Sequence, residues 1–405
     1  MQSLHAEEVD QPRIHTGGII VRLMSHLMGV TMKALFGLIL IFLGCNSAAL
    51  AGPVPPQIAQ QLDATLREHR TVTPTIAGEA LTVWTPAWRW SGAVGTVAGT
   101  KTLLTPQHAF RIASVTKSFT AAAVLRLMEM DKLDLSKPIA GYISTDTSAL
   151  LIEGGYDPGK ITIQQLLSHT SGIYDYATNE KFAAKVFADP LHQWTRTEQI
   201  HHAMVNGNPL RNPGEFYAYS DTGYIILGEI IERRTGQTLA AAVRSLLRFK
   251  KLALVDTYWE QLERRPYSSK AAFAGNMFGT TDLTLANHSF DLFGGGGMIS
   301  TTQDLTIFFR ALIRGEVFDD RRTLAVLLTI PPAKRGVGGH ETYGNGVYQF
   351  NLGREHCMGH GGFWGQAVAY CPASDITFAW TTNLGGNERG KSKFFAALAK
   401  VLALE

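Results

Sequence analysis

The stretch Ala113–Leu127, ASVTKSFTAAAVLRL, sets a serine three residues ahead of a lysine at the head of an apolar run. A lone S-x-x-K arises by chance about once in a chain of average composition, so its surroundings must carry the reading. Lys117 is the single charge between Ile112 and Leu125. A helix this apolar is expected to be buried, and buried lysines are rare unless paired or functional. Positions i and i+3 share a helix face, so Ser114 and Lys117 point into the same space. A desolvated lysine beside a hydroxyl can take up and return its proton. The plainer alternative is a lysine that snorkels out from a helix start.

Working outward, helical patterns dominate from about 114 to 290, broken by the turn-rich stretches 152–160 and 207–216. Strand-like text lies on both sides, at 80–99 and 344–383, and further helices are expected at 57–70, 302–314 and 390–404. That order predicts an α+β fold. An antiparallel sheet flanked by helices is built from both chain ends, with an all-helical insertion between them. The corresponding divisions are 1–51 (upstream segment and signal peptide), 52–113 (first part of the α/β domain), 114–290 (helical region with the Ser114 helix) and 291–405 (second part of the α/β domain). With 405 residues, 45% hydrophobic and 18% charged, the chain has the make-up of a folded protein rather than a disordered one. A net charge of +3 without a long Lys/Arg run argues against a nucleic-acid partner.

The N-terminal text reads as an export signal. Lys33 precedes the apolar run Ala34–Leu43, and small residues follow to Ala49-Leu50-Ala51, an A-x-A cleavage pattern. The run is short for a membrane span. Met32 offers a second start. Cleavage after Ala51 and a periplasmic or secreted protein are expected. Lipidation at Cys45 and an uncleaved anchor are the alternatives, and only these bring in a membrane. Beyond Ala51 the cysteines are Cys357 and Cys371, equidistant in sequence from Trp364. If one hairpin turns there, they face each other and can bond in an oxidising compartment; otherwise they are two buried thiols.

Two further segments carry chemistry. Tyr219-Ser220-Asp221, after the Pro213-Gly214 turn, precedes an apolar helix that Gly236 ends. A phenol beside a lysine can have a depressed pKa and act as a base; the plain reading makes Asp221 a helix cap and Tyr219 a packing residue. In His360–Gly365, GHGGFWG with Gly359, glycines let a substrate approach the backbone. An N–H there and that of Ser114 can form the two halves of an oxyanion hole. The run GGNERGKS (385–392) matches a phosphate-loop pattern, but too little chain follows it for a nucleotide fold, so no nucleotide is expected. Cys357 and His360 lack a second pair at ligand spacing, so no metal is expected. His169 reads as structural, and Tyr174, Tyr176 and Trp194 are candidates for the cleft wall or for packing.

With these segments in order, the chain resembles the serine hydrolases that include class C β-lactamases, D-alanyl-D-alanine carboxypeptidases and related esterases. They use S-x-x-K, then Y-x-N, then K-T-G or H-x-G. Here these are Ser114–Lys117, Tyr219–Asp221 and His360–Gly362, with matching flanks IQQLLSHTSGI (163–173), PGEFYAYSDTGYIILGEIIERRTGQ (213–237) and GGGGMISTTQDLTIFF (294–309). The likeness covers about residues 55–400. It implies a β-lactamase/transpeptidase-like fold and Ser114 as the acylated nucleophile. It also implies that Lys117 and Tyr219 move its proton to the leaving group, and that Asp221, His360, Gly361, Gly362 and Phe363 form the substrate-binding wall. The N–H groups of Ser114 and Phe363 would hold the oxyanion. No cofactor is implied. The partner is a small-molecule or peptide substrate, with peptidoglycan-derived ones among the options. Two departures stand out. Asp221 replaces the usual Asn and should repel a substrate carboxylate. Gly361 replaces a hydroxyl residue that often binds one. Both favour esters or other amides over β-lactams and D-Ala-D-Ala. A carboxypeptidase-like peptidase or D-amino-acid amidase leads, a carboxylesterase follows, and a non-catalytic penicillin-binding or sensor module is the reading from another class. Titration of His360 would make activity vary between about pH 5 and 8.

Overall fold

The computed structural model describes residues 52–334, 342–386 and 390–404. The expected export segment, and residues 387–389 within GGNERGKS, lie outside them. Helix α1 (Pro56–Val72) opens on a proline in its first turn, where the missing N–H costs nothing. It leads into β1 (Gly78–Trp84) and β2 (Arg89–Gly95). The sheet is completed from the other chain end by β3 (Tyr348–Leu352), β4 (Glu355–Gly362), β5 (Gln366–Cys371) and β6 (Ile376–Thr382). The order is β2-β1-β6-β5-β4-β3, antiparallel throughout. The two chain ends meet where β1 pairs with β6, Leu81 opposite Trp380.

Every residue of β6 is buried, because helices cover both faces. On one face, Leu62 and Leu66 of α1 and Phe394 and Leu398 of the last helix (Lys391–Val401) pack with Leu81, Val83, Phe378 and Trp380. The carboxylate of Glu79 in this layer accepts from Trp380 Nε1 at 3.0 Å and sits 2.9 Å from His69 Nδ1. The other face carries the helix Thr302–Ile313, capped by Thr301.

The Ser114 segment runs into α2 (Thr116–Glu129), buried from Thr116 to Leu127. Its hydroxyls tie the helix to two loops: Ser118 Oγ donates to Gly346 O at 2.6 Å and Thr120 Oγ1 to Gly294 O at 2.8 Å. The main helix beside it is α3 (Asp221–Thr235), ended by Gly236 in the left-handed conformation. The insertion is not all-helical, which corrects the sequence expectation. Short strands lie at Tyr258–Trp259, Met277–Phe278 and Thr281–Asp282. Met298–Ser300 pairs on one side with Phe110–Arg111 and on the other with Tyr258–Trp259. These two-residue strands belong to two small three-stranded sheets apart from the main one, and so short a run leaves no period in the sequence. Among the described residues no helix is long and apolar enough to cross a membrane.

Strands β4 and β5 form a hairpin turning at Phe363–Gly365. Tyr370 lies opposite Met358, and one step further Cys357 and Cys371 form a disulfide. A bond closing a loop of this size restricts the unfolded chain by about 3 kcal/mol. Urea unfolding of the Cys357→Ala/Cys371→Ala protein should show a loss of about 2–3 kcal/mol; an unchanged midpoint would mean the hairpin needs no clamp.

Candidate active site

Ser114 sits in a 3₁₀ turn (Ala113–Val115) between the short strand Phe110–Arg111 and α2. Ala113 takes φ +43°, uncommon for a residue with a side chain. The sharp turn leaves Ser114 partly open between buried neighbours, on a cleft of about 1000 Å³. Lys117 has no accessible surface, which removes the snorkelling alternative. Its Nζ lies 3.0 Å from Ser114 Oγ and 2.7 Å from Gly295 O, and forms an ion pair with Asp221 Oδ1. An ammonium has three N–H donors and no acceptor, and here three acceptors meet them.

Asp221 reaches Lys117 because Ser220, not Asp221, caps α3. The Ser220 hydroxyl accepts from Gly223 N–H at 3.2 Å, which leaves the Asp221 side chain free to face the lysine. Tyr219 precedes the cap. Its ring lies 4.1 Å from that of His169, and Lys117 Nζ is 4.9 Å from its centroid. Its hydroxyl is buried with no partner in good hydrogen-bonding geometry among the described residues. Burial first, and the Asp221 carboxylate next, push its pKa well above the ordinary phenol value; the Ser114 hydroxyl pulls weakly the other way. The expected depressed phenol is therefore corrected: the carboxylate at 221 makes the Tyr219 anion costlier. His169 fixes this segment by accepting Ser220 N–H at Nδ1, 3.1 Å away.

The opposite wall is β4. His360 lines the cleft but offers it no free nitrogen. Nδ1 is 2.7 Å from Gly361 O, to which it donates, and Nε2, 3.1 Å away, accepts from the Tyr343 hydroxyl. Burial pushes its pKa down to about 3. His360 stays neutral across pH 5–8, which overturns the expected titration there. At Gly362 an added Cβ would lie 2.5 Å from Ile112 O, so only glycine lets β4 pass the nucleophile's turn. At Gly361 the nearest atom would be 3.5 Å away, which leaves room for a side chain. Phe363 is half exposed and stacks on Phe278 at 5.8 Å.

Sequence reasoning missed two carboxylates on this cleft, Asp175 and Asp291. Burial, followed by the Asp221 charge, holds Asp175 well above the usual carboxylate range, and the same two causes bring Asp291 to about 7. The available signal was GGGG at 294–297. A Cβ on Gly295 would meet Asp221 Oδ1 at 2.8 Å, and one on Gly296 would meet Asp291 Oδ1 at 2.1 Å. Tyr176 reaches the cleft, whereas Trp194 is buried against Phe182 and Tyr174 is not on the cleft wall.

A family model described as Beta-lactamase matches residues 62–402. The chain belongs to that family. Its fold is the β-lactamase fold. The D-amino acid amidase from Ochrobactrum anthropi SV3, solved with D-phenylalanine, is 23% identical with a TM-score of 0.72, covering 86% of this chain and 99% of that one. A D-stereospecific amidohydrolase from Streptomyces sp. is 24% identical with a TM-score of 0.70 over the same shares. These two show likeness of fold. Among curated proteins, a putative D-alanyl-D-alanine carboxypeptidase from Escherichia coli O157:H7 is 26% identical over 292 residues, 65% of this chain and 64% of its own length. Protein flp of Staphylococcus aureus is 27% identical over 207 residues, 51% of this chain; the match spans only 39% of flp.

The raised carboxyl of Asp291 has a thermodynamic signature. Between about pH 4 and 7 the folded β-lactamase-family chain holds this proton while the unfolded chain has lost it. Stability conferred by the protonated form therefore falls as pH rises through that window. Asp291→Asn should raise the unfolding temperature at pH 8 and change it little at pH 4. A gain equal at both pH values would show that the carboxyl does not titrate where its surroundings place it.

Proposed function

We propose that this hydrolase cleaves amides of amino-acid character through an acyl-enzyme on Ser114. The observation that carries the reading is the buried Lys117, whose three donors are shared between Ser114, Asp221 and Gly295. Ser114 Oγ attacks the carbonyl carbon, and its proton passes to Lys117, which hands one of its own to Asp221. The Ser114 and Phe363 N–H groups hold the oxyanion. Tyr219, a neutral phenol, gives its proton to the departing nitrogen as the C–N bond breaks, and recovers one from Lys117. Water then cleaves the ester by the reverse path, and Asp221 returns the proton to Lys117. The unfilled space at Gly361 and the negative charge of Asp221 weigh against substrates that present a carboxylate, such as β-lactams. The D-amino acid amidase from O. anthropi and the amidohydrolase from Streptomyces support an amide of an amino acid rather than an ester.

Export is part of the reading. It is supported by the signal-like text before Gly52 and by the Cys357–Cys371 bond, which suits an oxidising compartment. The chain recovered from cells should begin at Gly52 on N-terminal sequencing; a start at Met1 or Met32 would remove this part.

Intact-mass labelling tests the mechanism. A fluorophosphonate should add to wild type and not to Ser114→Ala, and a penicillin should leave no lasting adduct. If neither reagent marks the wild type, Ser114 is no activated nucleophile and the fold serves as a binding scaffold. A stable penicilloyl adduct would turn the reading towards peptidoglycan-type substrates.

A further inference from the structure

We propose that the cleft beside Ser114 contains a cation subsite in which Asp175 and Asp291 hold the free α-ammonium group of an aminoacyl amide. This rests on the serine acyl-transfer reading and adds what the substrate must carry.

The charges around the cleft do not balance. Its described lining contains the carboxylates of Asp175, Asp221 and Asp291, with Lys391 as the cation among the lining residues. Lys117 beneath the floor is paired with Asp221. Arg111, which also acts on Asp291 electrostatically, is held in a bidentate contact by Glu260, at 2.7 Å on both sides. A buried carboxylate without a counterion is unfavourable in a folded protein, and such arrangements concentrate at binding sites.

The second observation is the way Asp175 is used. It is 5% exposed. Its Oδ1 accepts Ala177 N–H at 3.0 Å and Asp221 N–H at 3.2 Å, which accounts for a structural role. Its Oδ2 has no hydrogen-bond partner among the described residues, although the residue lines the cleft. The Asp291 side chain, partly buried, has neither a hydrogen bond nor an ion pair among the described residues and lines the same cleft. Burial and the Asp221 charge hold both carboxyls above the usual range, and an arriving ammonium would favour their charged form. An ammonium, with three N–H donors and a positive charge, suits a carboxylate oxygen that has no other donor.

Geometry places this charge near the scissile bond. Ser114 Oγ and Asp221 Oδ1 contact the same Lys117 Nζ. Asp221 and Asp291 lie against successive glycines, 295 and 296. In an aminoacyl amide the α-nitrogen is about 2.5 Å from the carbonyl carbon. A substrate whose carbonyl meets Ser114 has its α-ammonium in the same cleft that Asp175, Asp221 and Asp291 line. Beside it, Phe182, Phe187, Phe278 and Phe290 form an apolar wall for a large side chain.

The test compares phenylalanine amide with its N-acetyl derivative and with 3-phenylpropanamide, which lacks the amine, near neutral pH. Wild type should prefer the free amine in kcat/KM by about tenfold or more, as expected for a hydrogen bond to a charged group. Asp291→Asn and Asp175→Asn should each reduce that ratio several-fold. The ratio is internal to each protein, so a general loss of activity cancels. With wild type alone, phenylalanine amide should slow fluorophosphonate labelling of Ser114 at lower concentration than the N-acetyl amide does. Equal or reversed preference in wild type, or ratios unchanged in both variants, would overturn the subsite. Failure of labelling itself would instead overturn the serine reading.

Discussion

The structure depends on one buried ammonium. Lys117 lies in a helix buried from Thr116 to Leu127, and only its full set of acceptors makes that position tenable. Each acceptor comes from a different segment: the nucleophile's turn, the start of α3 and the glycine-rich loop before Met298. Satisfying the lysine therefore fixes three loops relative to one another. The hydroxyls of Ser118 and Thr120 extend the same logic to Gly346 and Gly294. Packing in the insertion and geometry in the cleft are two results of one electrostatic requirement.

That requirement also explains why the cleft differs from what its motifs imply. With Asn at 221 the lysine would have an uncharged neighbour. With Asp, a carboxylate charge adds to burial, the first cause, in making Tyr219, Asp175 and Asp291 harder to ionise. Burial, aided by the Lys117 charge, likewise keeps His360 neutral, while its two ring nitrogens are taken by Gly361 O and the Tyr343 hydroxyl.

Much of this was legible in the sequence. The spacing of Ser114 and Lys117 and the single charge between Ile112 and Leu125 pointed to a functional buried pair. The equidistance of Cys357 and Cys371 from Trp364 announced the hairpin register, which the β4–β5 pairing reproduces. Strand-like composition located the stretches 80–99 and 344–383, and helical spacing of apolar residues located the main helices. What stayed hidden lacks a local signature. The short strands within 258–282 have no period. Asp175 and Asp291 read as loop residues, because their meaning comes from contacts between distant segments. The protonation of Tyr219 depends on an aspartate fixed by a lysine 104 residues away.

The two glycines of the β4 wall differ in a way that bears on substitution. At 362 the backbone passes so close to Ile112 that any side chain would dislodge the turn holding Ser114. At 361 a side chain has room and disturbs nothing adjacent. Substitution therefore has opposite costs at two adjacent positions: at 362 the turn must move, and at 361 it need not. The wall of the cleft can be reshaped at 361 with the Ser114 turn left in place.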